Sequence, residues 1–184
     1  MIRFAKQTDA AQILDIYSPI VQHTAVSFEY EIPEVDEFED RIERISKFYP
    51  YLVWEVQREI LAFCYATRFR SRAAYDWIAE SAIYVSEKVR GQGIGQKLYA
   101  KLFECLRAQG VVSVVGVVRP NEASVQFHEA LGFKKVGIIP FGGYKLDRWH
   151  EAGIWQLILQ DPVPTRPRPV QPFPQVSRLI ALNV

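Results

Sequence analysis

Apolar and polar positions recur with two different periods along the chain, and the changes between them mark its elements. Ile2 to Phe4 reads as a short strand. Ile13, Ile16, Tyr17 and Ile20 then repeat at three- and four-residue spacing, which predicts a helix, and Asp9-Ala10-Ala11-Gln12 has capping-box spacing at its start. Phe38, Ile42 and Ile45 keep helical spacing between Pro33 and Pro50, so a second helix is expected there. From Leu52 the pattern becomes that of strands. Leu52 to Val56, a turn near Arg58, Ile60 to Arg68 and Trp77 to Val85 predict an antiparallel meander rich in β-branched and aromatic residues.

A glycine-rich turn, Arg90 to Gly95, precedes Leu98, Leu102 and Leu106, a helical repeat ending at Gly110. Val111 to Val118 is nearly all valine, the pattern of a strand covered on both faces. Strand, turn, helix and strand make a βαβ unit. Asn121 to Leu131 predicts a further helix stopped by Gly132, and Phe133 to Ile139 and Ile154 to Leu159 are expected as closing strands. Beyond Gln160, prolines 162, 164, 167, 169, 172 and 174 predict an extended or polyproline-like tail. Its apolar end, Leu179 to Leu182, is expected to dock on the body or on a partner.

Length and composition narrow the function classes. The 184 residues suit one catalytic domain, residues 1–160, with a tail over 161–184. Hydrophobic residues at 49% and charged residues at 23% provide for an ordinary buried core. A net charge of +1 without a basic run argues against nucleic acid. The absence of an apolar run near the roughly 18 residues that span a bilayer argues against a membrane partner, and with no leader pattern at Met1 to Ala10 a cytoplasmic protein is expected. Cys64 and Cys105 sit in apolar runs and read as buried, reduced packing residues.

Arg90-Gly91-Gln92-Gly93-Ile94-Gly95 lies between strand and helix, where unpaired backbone N–H groups and the helix dipole favour an anion such as a pyrophosphate. No Lys-Ser/Thr pair follows Gly95, against a P-loop, and the turn follows several antiparallel strands, against a dinucleotide fold. Taken alone, it is equally a strand-to-helix turn with no ligand.

The turn matches the pattern [QR]-x-x-G-x-[GA], and Asn121-Glu122-Ala123-Ser124 with Glu129-Ala130-Leu131-Gly132-Phe133 follows downstream. Both blocks resemble the GNAT acetyltransferase superfamily. Tyr75-Asp76-Trp77-Ile78-Ala79-Glu80-Ser81, Tyr49-Pro50-Tyr51-Leu52-Val53, His128 to Gly132 and Gly143 to His150 look like its phosphinothricin and methionine sulfoximine acetyltransferases. The resemblance implies an α+β fold: a mixed sheet of six to seven strands with flanking helices and coenzyme A at a strand splay. It implies acetyl-coenzyme A as co-substrate, no metal, a small-molecule amine as acceptor and a homodimer, to which the apolar closing strands also point. It further implies that Ile83, Tyr84 and Val85 pair with the pantetheine arm, that residues 90–95 bind the pyrophosphate, and that Asn121 and Ser124 contact the coenzyme.

Glu80 stands in an otherwise apolar strand, where desolvation would suit a general base; the alternative is an acid turned to solvent or paired with an Arg. His128 occupies the position where many members carry a tyrosine that protonates the leaving thiolate; it reads as a donor to sulfur or as a structural histidine. Arg70 and Arg72, before Tyr75, are candidates for binding acceptor carboxylate or phosphinate oxygens, against a plain solvated loop. Phe28 and Glu29 resemble the substrate-side loop, and Tyr144, Lys145 and His150 are expected to close the site from the same or a partner subunit. Two alternatives remain: a protein or peptide N-terminal acetyltransferase, and a non-catalytic acyl-coenzyme A sensor.

Overall fold

The computed structural model describes residues 1–181, and among these, seven strands form one mixed sheet. The strands are β1 (Ile2–Phe4), β2 (Tyr51–Val56), β3 (Glu59–Arg68), β4 (Ile78–Val85), β5 (Ser113–Val118), β6 (Lys134–Lys145) and β7 (Arg148–Ile158). Their order is β1-β2-β3-β4-β5-β7-β6, with β4 and β5 parallel and the other neighbours antiparallel. The lone parallel pair arises because α3 (Ile94–Gln109) connects β4 to β5 as a crossover.

Both faces of the sheet are covered. On one, α3 buries Leu98, Leu102, Cys105 and Leu106 against Cys64, Ala66, Ala79 and Val114. On the other, α1 (Ala10–His23) and α2 (Val35–Ser46) bury Ile13, Tyr17, Val21, Phe38 and Ile42 against Tyr51, Val53 and Phe63. Alternation along β4 assigns its side chains: Ala79, Ile83 and Val85 pack on the α3 side, and Tyr84 on the α1–α2 side. Glu80 shares the parity of Tyr84 and therefore faces α1 and α2.

Three sequence expectations are corrected. Asp9 precedes α1 but makes no side-chain cap bond to it; its carboxylate instead accepts from Arg3 Nη1 and Nη2, at 2.6 and 2.9 Å, and from the Lys6 N–H at 2.7 Å. The closing strands are much longer than expected and form a hairpin reaching Lys145 and starting again at Arg148. Pro140 and Gly142-Gly143 look like strand breakers, but here they form a bulge between Ile139 and Gly143 within a continuing ladder. Leu146 and Asp147 both have positive φ, which suits the twist of a two-residue hairpin turn. The tail is extended to Pro172, then forms the short helix α5 (Phe173–Val176), with Pro172 at its N-cap and Pro174 in its first turn where no N–H is needed. Phe173 is buried edge-on against Phe4, 5.0 Å between ring centres. Gln109 Nε2 donates to the carbonyls of Phe48 and Gln171, both at 2.8 Å, fastening the tail to the body. Leu179 is exposed and Ile180 packs on the core, whereas Leu182 lies outside the described residues.

Cys64 and Cys105 are free and fully buried, as expected from the sequence. Burial raises both thiol pKa values, that of Cys105 to about 12. Thiol titration of the native protein should therefore find neither group reactive, and both should react after unfolding; a fast-reacting thiol in the native state would contradict this packing.

Candidate active site

The site begins where two strands part. The β4–β5 ladder runs from Ile78 opposite Ser113 to Ser81 opposite Gly116 and stops. Beyond it, β4 stays paired to β3 as far as Val85, and β5 to β7 as far as Val118. The Ser86 N–H donates to Leu61 O at 2.8 Å, so alternate N–H groups back along β4 turn towards β3. Those of Ile83 and Val85 therefore point into the gap. An unpaired strand edge inside a fold is a ready partner for an extended, amide-bearing chain.

The glycine turn closes one end of this gap. Gly91 and Gly93 have φ of +76° and +75°, values that other residues reach only with strain. The first intrahelical bond of α3 runs from Lys97 N–H to Gly93 O. The N–H groups of Ile94, Gly95 and Gln96 consequently have no acceptor within the helix. A Cβ on Gly95 would lie 3.1 Å from the Phe127 ring, so glycine also lets α3 approach α4 (Glu122–Ala130) closely. Arg90 is exposed and pairs with Glu87 at 3.0 Å.

A cleft of 420 Å³ extends from the gap, lined by Ile83 and Tyr84 of β4, Tyr99 of α3, Arg119, Asn121, Ser124 and His128. Asn121 caps α4, its side-chain oxygen accepting the Ser124 N–H at 2.9 Å. His128 is buried among Tyr99, Phe127 and Phe133, with Nδ1 2.8 Å from Ser124 O. Because a carbonyl only accepts, Nδ1 carries the hydrogen. Burial holds the His128 pKa below its ordinary value, outweighing the Ser124 contact, so the neutral ring presents Nε2 as an acceptor. That nitrogen lies against β5, where a Cβ on Gly116 would sit 3.1 Å from it.

Glu80 connects this cleft to a second cavity. It lines the 420 Å³ cleft and also a 240 Å³ cavity beneath α2, bounded by Arg41, Arg44, Tyr65 and Thr67. Its half-buried carboxylate has no hydrogen-bond or ion-pair partner among the described residues, and desolvation alone raises its pKa. Phe28 and Glu29 also line the cleft. Glu29 pairs with Arg41 at 2.7 Å, and Arg41 also holds Glu37 at 3.0 Å.

The loop that carries Phe28 and Glu29 is held by the β6–β7 hairpin. Lys145 is buried, and its Nζ donates to Val21 O at 2.6 Å and Ser27 O at 2.7 Å. Tyr30 donates its hydroxyl proton to Tyr144 O, and a side chain on Gly143 would collide with the Phe28 ring. His150 packs near Phe28, 6.3 Å between ring centres, with Nε2 at 2.9 Å from Lys145 O. Replacing Lys145 with Met should leave both carbonyls unpaired, costing about 1–3 kcal/mol in urea unfolding. The acceptor KM should rise with little change in the acetyl-coenzyme A KM; parallel changes in both would mean that Lys145 does not specifically hold this loop.

Arg70, Arg72 and Tyr75 stand in the β3–β4 loop, outside the lining of the cleft and of the cavity under α2. Arg70 lies over the Phe69 and Tyr75 rings at 5.1 and 5.8 Å, and Arg72 is exposed. Neither arginine lines the cleft or the cavity under α2. Tyr65, Tyr99, Arg119 and Arg44 line these spaces but were not singled out from the sequence. Tyr65 and Tyr99 follow the same apolar periodicity as core residues, so the sequence carries no separate signal for them.

An open strand edge, a nest of free N–H groups and an acid across a cleft fit a thioester carried on a long amide-bearing arm that ends in a pyrophosphate. Residues 2–153 match the acetyltransferase (GNAT) domain family. The chain belongs to the GNAT acetyltransferases. It is 40% identical to the phosphinothricin N-acetyltransferase of Streptomyces viridochromogenes, over 95% of each chain. It is 32% identical to the L-methionine sulfoximine/L-methionine sulfone acetyltransferase of Salmonella typhimurium, over 87% of this chain and 95% of that one. The crystal structure of a Sinorhizobium meliloti phosphinothricin acetyltransferase in complex with acetyl-coenzyme A superposes with a TM-score of 0.87 at 31% identity, covering 91% of this chain and 92% of that one. This GNAT protein is therefore an acetyl-coenzyme A-dependent N-acetyltransferase, and its mixed sheet is the fold expected from the sequence. Among the described residues, no helix is long and apolar enough to cross a membrane.

Proposed function

We propose that this enzyme acetylates the α-amine of a small amino-acid analogue, phosphinothricin or methionine sulfoximine or sulfone, by direct transfer with Glu80 as general base. The unpaired Glu80 carboxylate, shared by the coenzyme-side cleft and the cavity under α2, carries this reading. The names of the relatives support the acceptor class.

An α-ammonium group titrates near 8 or above, so at neutral pH it must first lose a proton, which Glu80 takes. The amine nitrogen attacks the thioester carbonyl, whose developing oxyanion is met by the Val85 N–H. Collapse breaks the C–S bond as the second amine proton leaves, accepted by His128 Nε2 and passed to the departing sulfur. Amide, free thiol and one proton released from Glu80 complete the balance. Phe28 and Glu29 bound the acceptor, Ile83 to Val85 bind the pantetheine arm, and residues 90–95 bind the pyrophosphate with Asn121 and Ser124 alongside.

The exposed rings of Phe141, Tyr144 and Trp149 on the hairpin tip support a homodimer. The buried free thiols are consistent with a cytoplasmic setting. Direct transfer is tested by varying both substrates. Intersecting double-reciprocal lines, with no acetylated protein in the mass spectrum, are expected; parallel lines with an acetyl-enzyme would overturn it.

A further inference from the structure

The cavity under α2 has two distinct ends. Glu80, with Tyr65, Ser81 and Ala82, belongs both to it and to the coenzyme-side cleft. Arg44, with Ile45 and Thr67, belongs both to it and to a larger groove of 720 Å³ between α2 and the tail. The cavity thus offers an acceptor whose amine lies at Glu80 a path for its far end towards Arg44. The two cations of α2 in the cavity wall are differently engaged. Arg41 is held by Glu29 and Glu37, whereas Arg44 makes no hydrogen bond or ion pair among the described residues. It projects from the flank of a helix whose Phe38 and Ile42 are buried, so its backbone is fixed by the core while its guanidinium stays available.

We propose that Arg44 is a specificity-determining residue that binds the side-chain acid group of the acceptor, an inference that rests on the amino-acid-analogue reading above. A planar guanidinium suits the paired oxygens of a phosphinate or carboxylate and offers less to an uncharged sulfone. Arg44 thus selects among α-amino acids by the charge at the far end of the side chain, and the α-amine and α-carboxylate common to all of them are read elsewhere.

The test compares phosphinothricin, whose side chain ends in an anion, with methionine sulfone, of similar reach and no side-chain charge. In R44Q, the ratio of kcat/KM for phosphinothricin to that for methionine sulfone should fall about 10- to 100-fold, the worth of one hydrogen-bonded charge. R44K, which keeps the charge without the fork, should fall between. A ratio unchanged in R44Q, whether because both acceptors suffer equally or because neither does, overturns the assignment of Arg44. Wild-type protein that turns over neither acceptor overturns the acceptor class itself. Arg44 is exposed, so thermal melting of both variants should match the parent, and a lower ratio is then attributable to the site.

Discussion

Glu80→Gln should lower kcat/KM by about 10²- to 10⁴-fold, the range contributed by a positioned general base. Acetyl-coenzyme A affinity should be nearly unaffected, because the turn and the open strand edge proposed to receive the coenzyme are untouched. The pH dependence supplies an independent check. Burial raises the Glu80 pKa, and a base works only when deprotonated, so kcat/KM should rise with pH on a limb displaced upwards from the ordinary glutamate value of about 4.3. Glu80→Gln should abolish that limb. Stability should move in the opposite sense to activity. A carboxyl pKa raised by folding means that the ionised form costs stability above that pKa, so the neutral Gln should leave the fold as stable as the parent or slightly more so. Loss of activity together with a lower melting temperature would point instead to a structural glutamate.

Gly93→Val should weaken acetyl-coenzyme A binding by about 100-fold. At φ +75° a β-branched residue is strained by about 1–3 kcal/mol, and the turn relieves the strain by moving. Movement swings the N–H groups at the start of α3 away from the position a pyrophosphate would take, and each lost charge-assisted bond is worth about 1.5–3 kcal/mol. Gly93→Ala, with less bulk at the same φ, should show a smaller loss of the same kind. A coenzyme KM unchanged in a folded Gly93→Val protein would remove the turn from the binding site.

The sequence conveys the strand-turn-helix-strand unit clearly because each of its parts has a local cause. Leu98, Leu102 and Leu106 make the helical stripe, glycines permit the turn, and valines fill a strand covered on both sides. The acid in β4 was legible for the same reason, a charged residue in an apolar run. The long hairpin was obscured because Pro140 and Gly142-Gly143 signal a break locally, and the pairing across the bulge to Ala152 and His150 makes them part of a ladder. Lys145 was legible as a site candidate, but its burial beneath the loop carrying Phe28 depends on contacts more than a hundred residues apart. Arg41 and Arg44 follow the polar face of an amphipathic helix, the pattern of an ordinary solvated surface. Their relation to Glu80 appears only when the parity of β4 and the packing of α2 are combined.

The central claim is that acetyl groups pass from the β4–β5 gap, past Glu80, to the α-amine of a small amino-acid analogue. The most direct measurement is the rate of thiol release from acetyl-coenzyme A, with phosphinothricin, methionine sulfoximine, methionine sulfone, glutamate and an N-terminal peptide as parallel acceptors and the products identified by mass. Rapid turnover of the analogues to their N-acetyl forms, with little or none of the peptide, is the predicted result. Turnover of the peptide alone, or coenzyme binding without transfer to any acceptor, would contradict it.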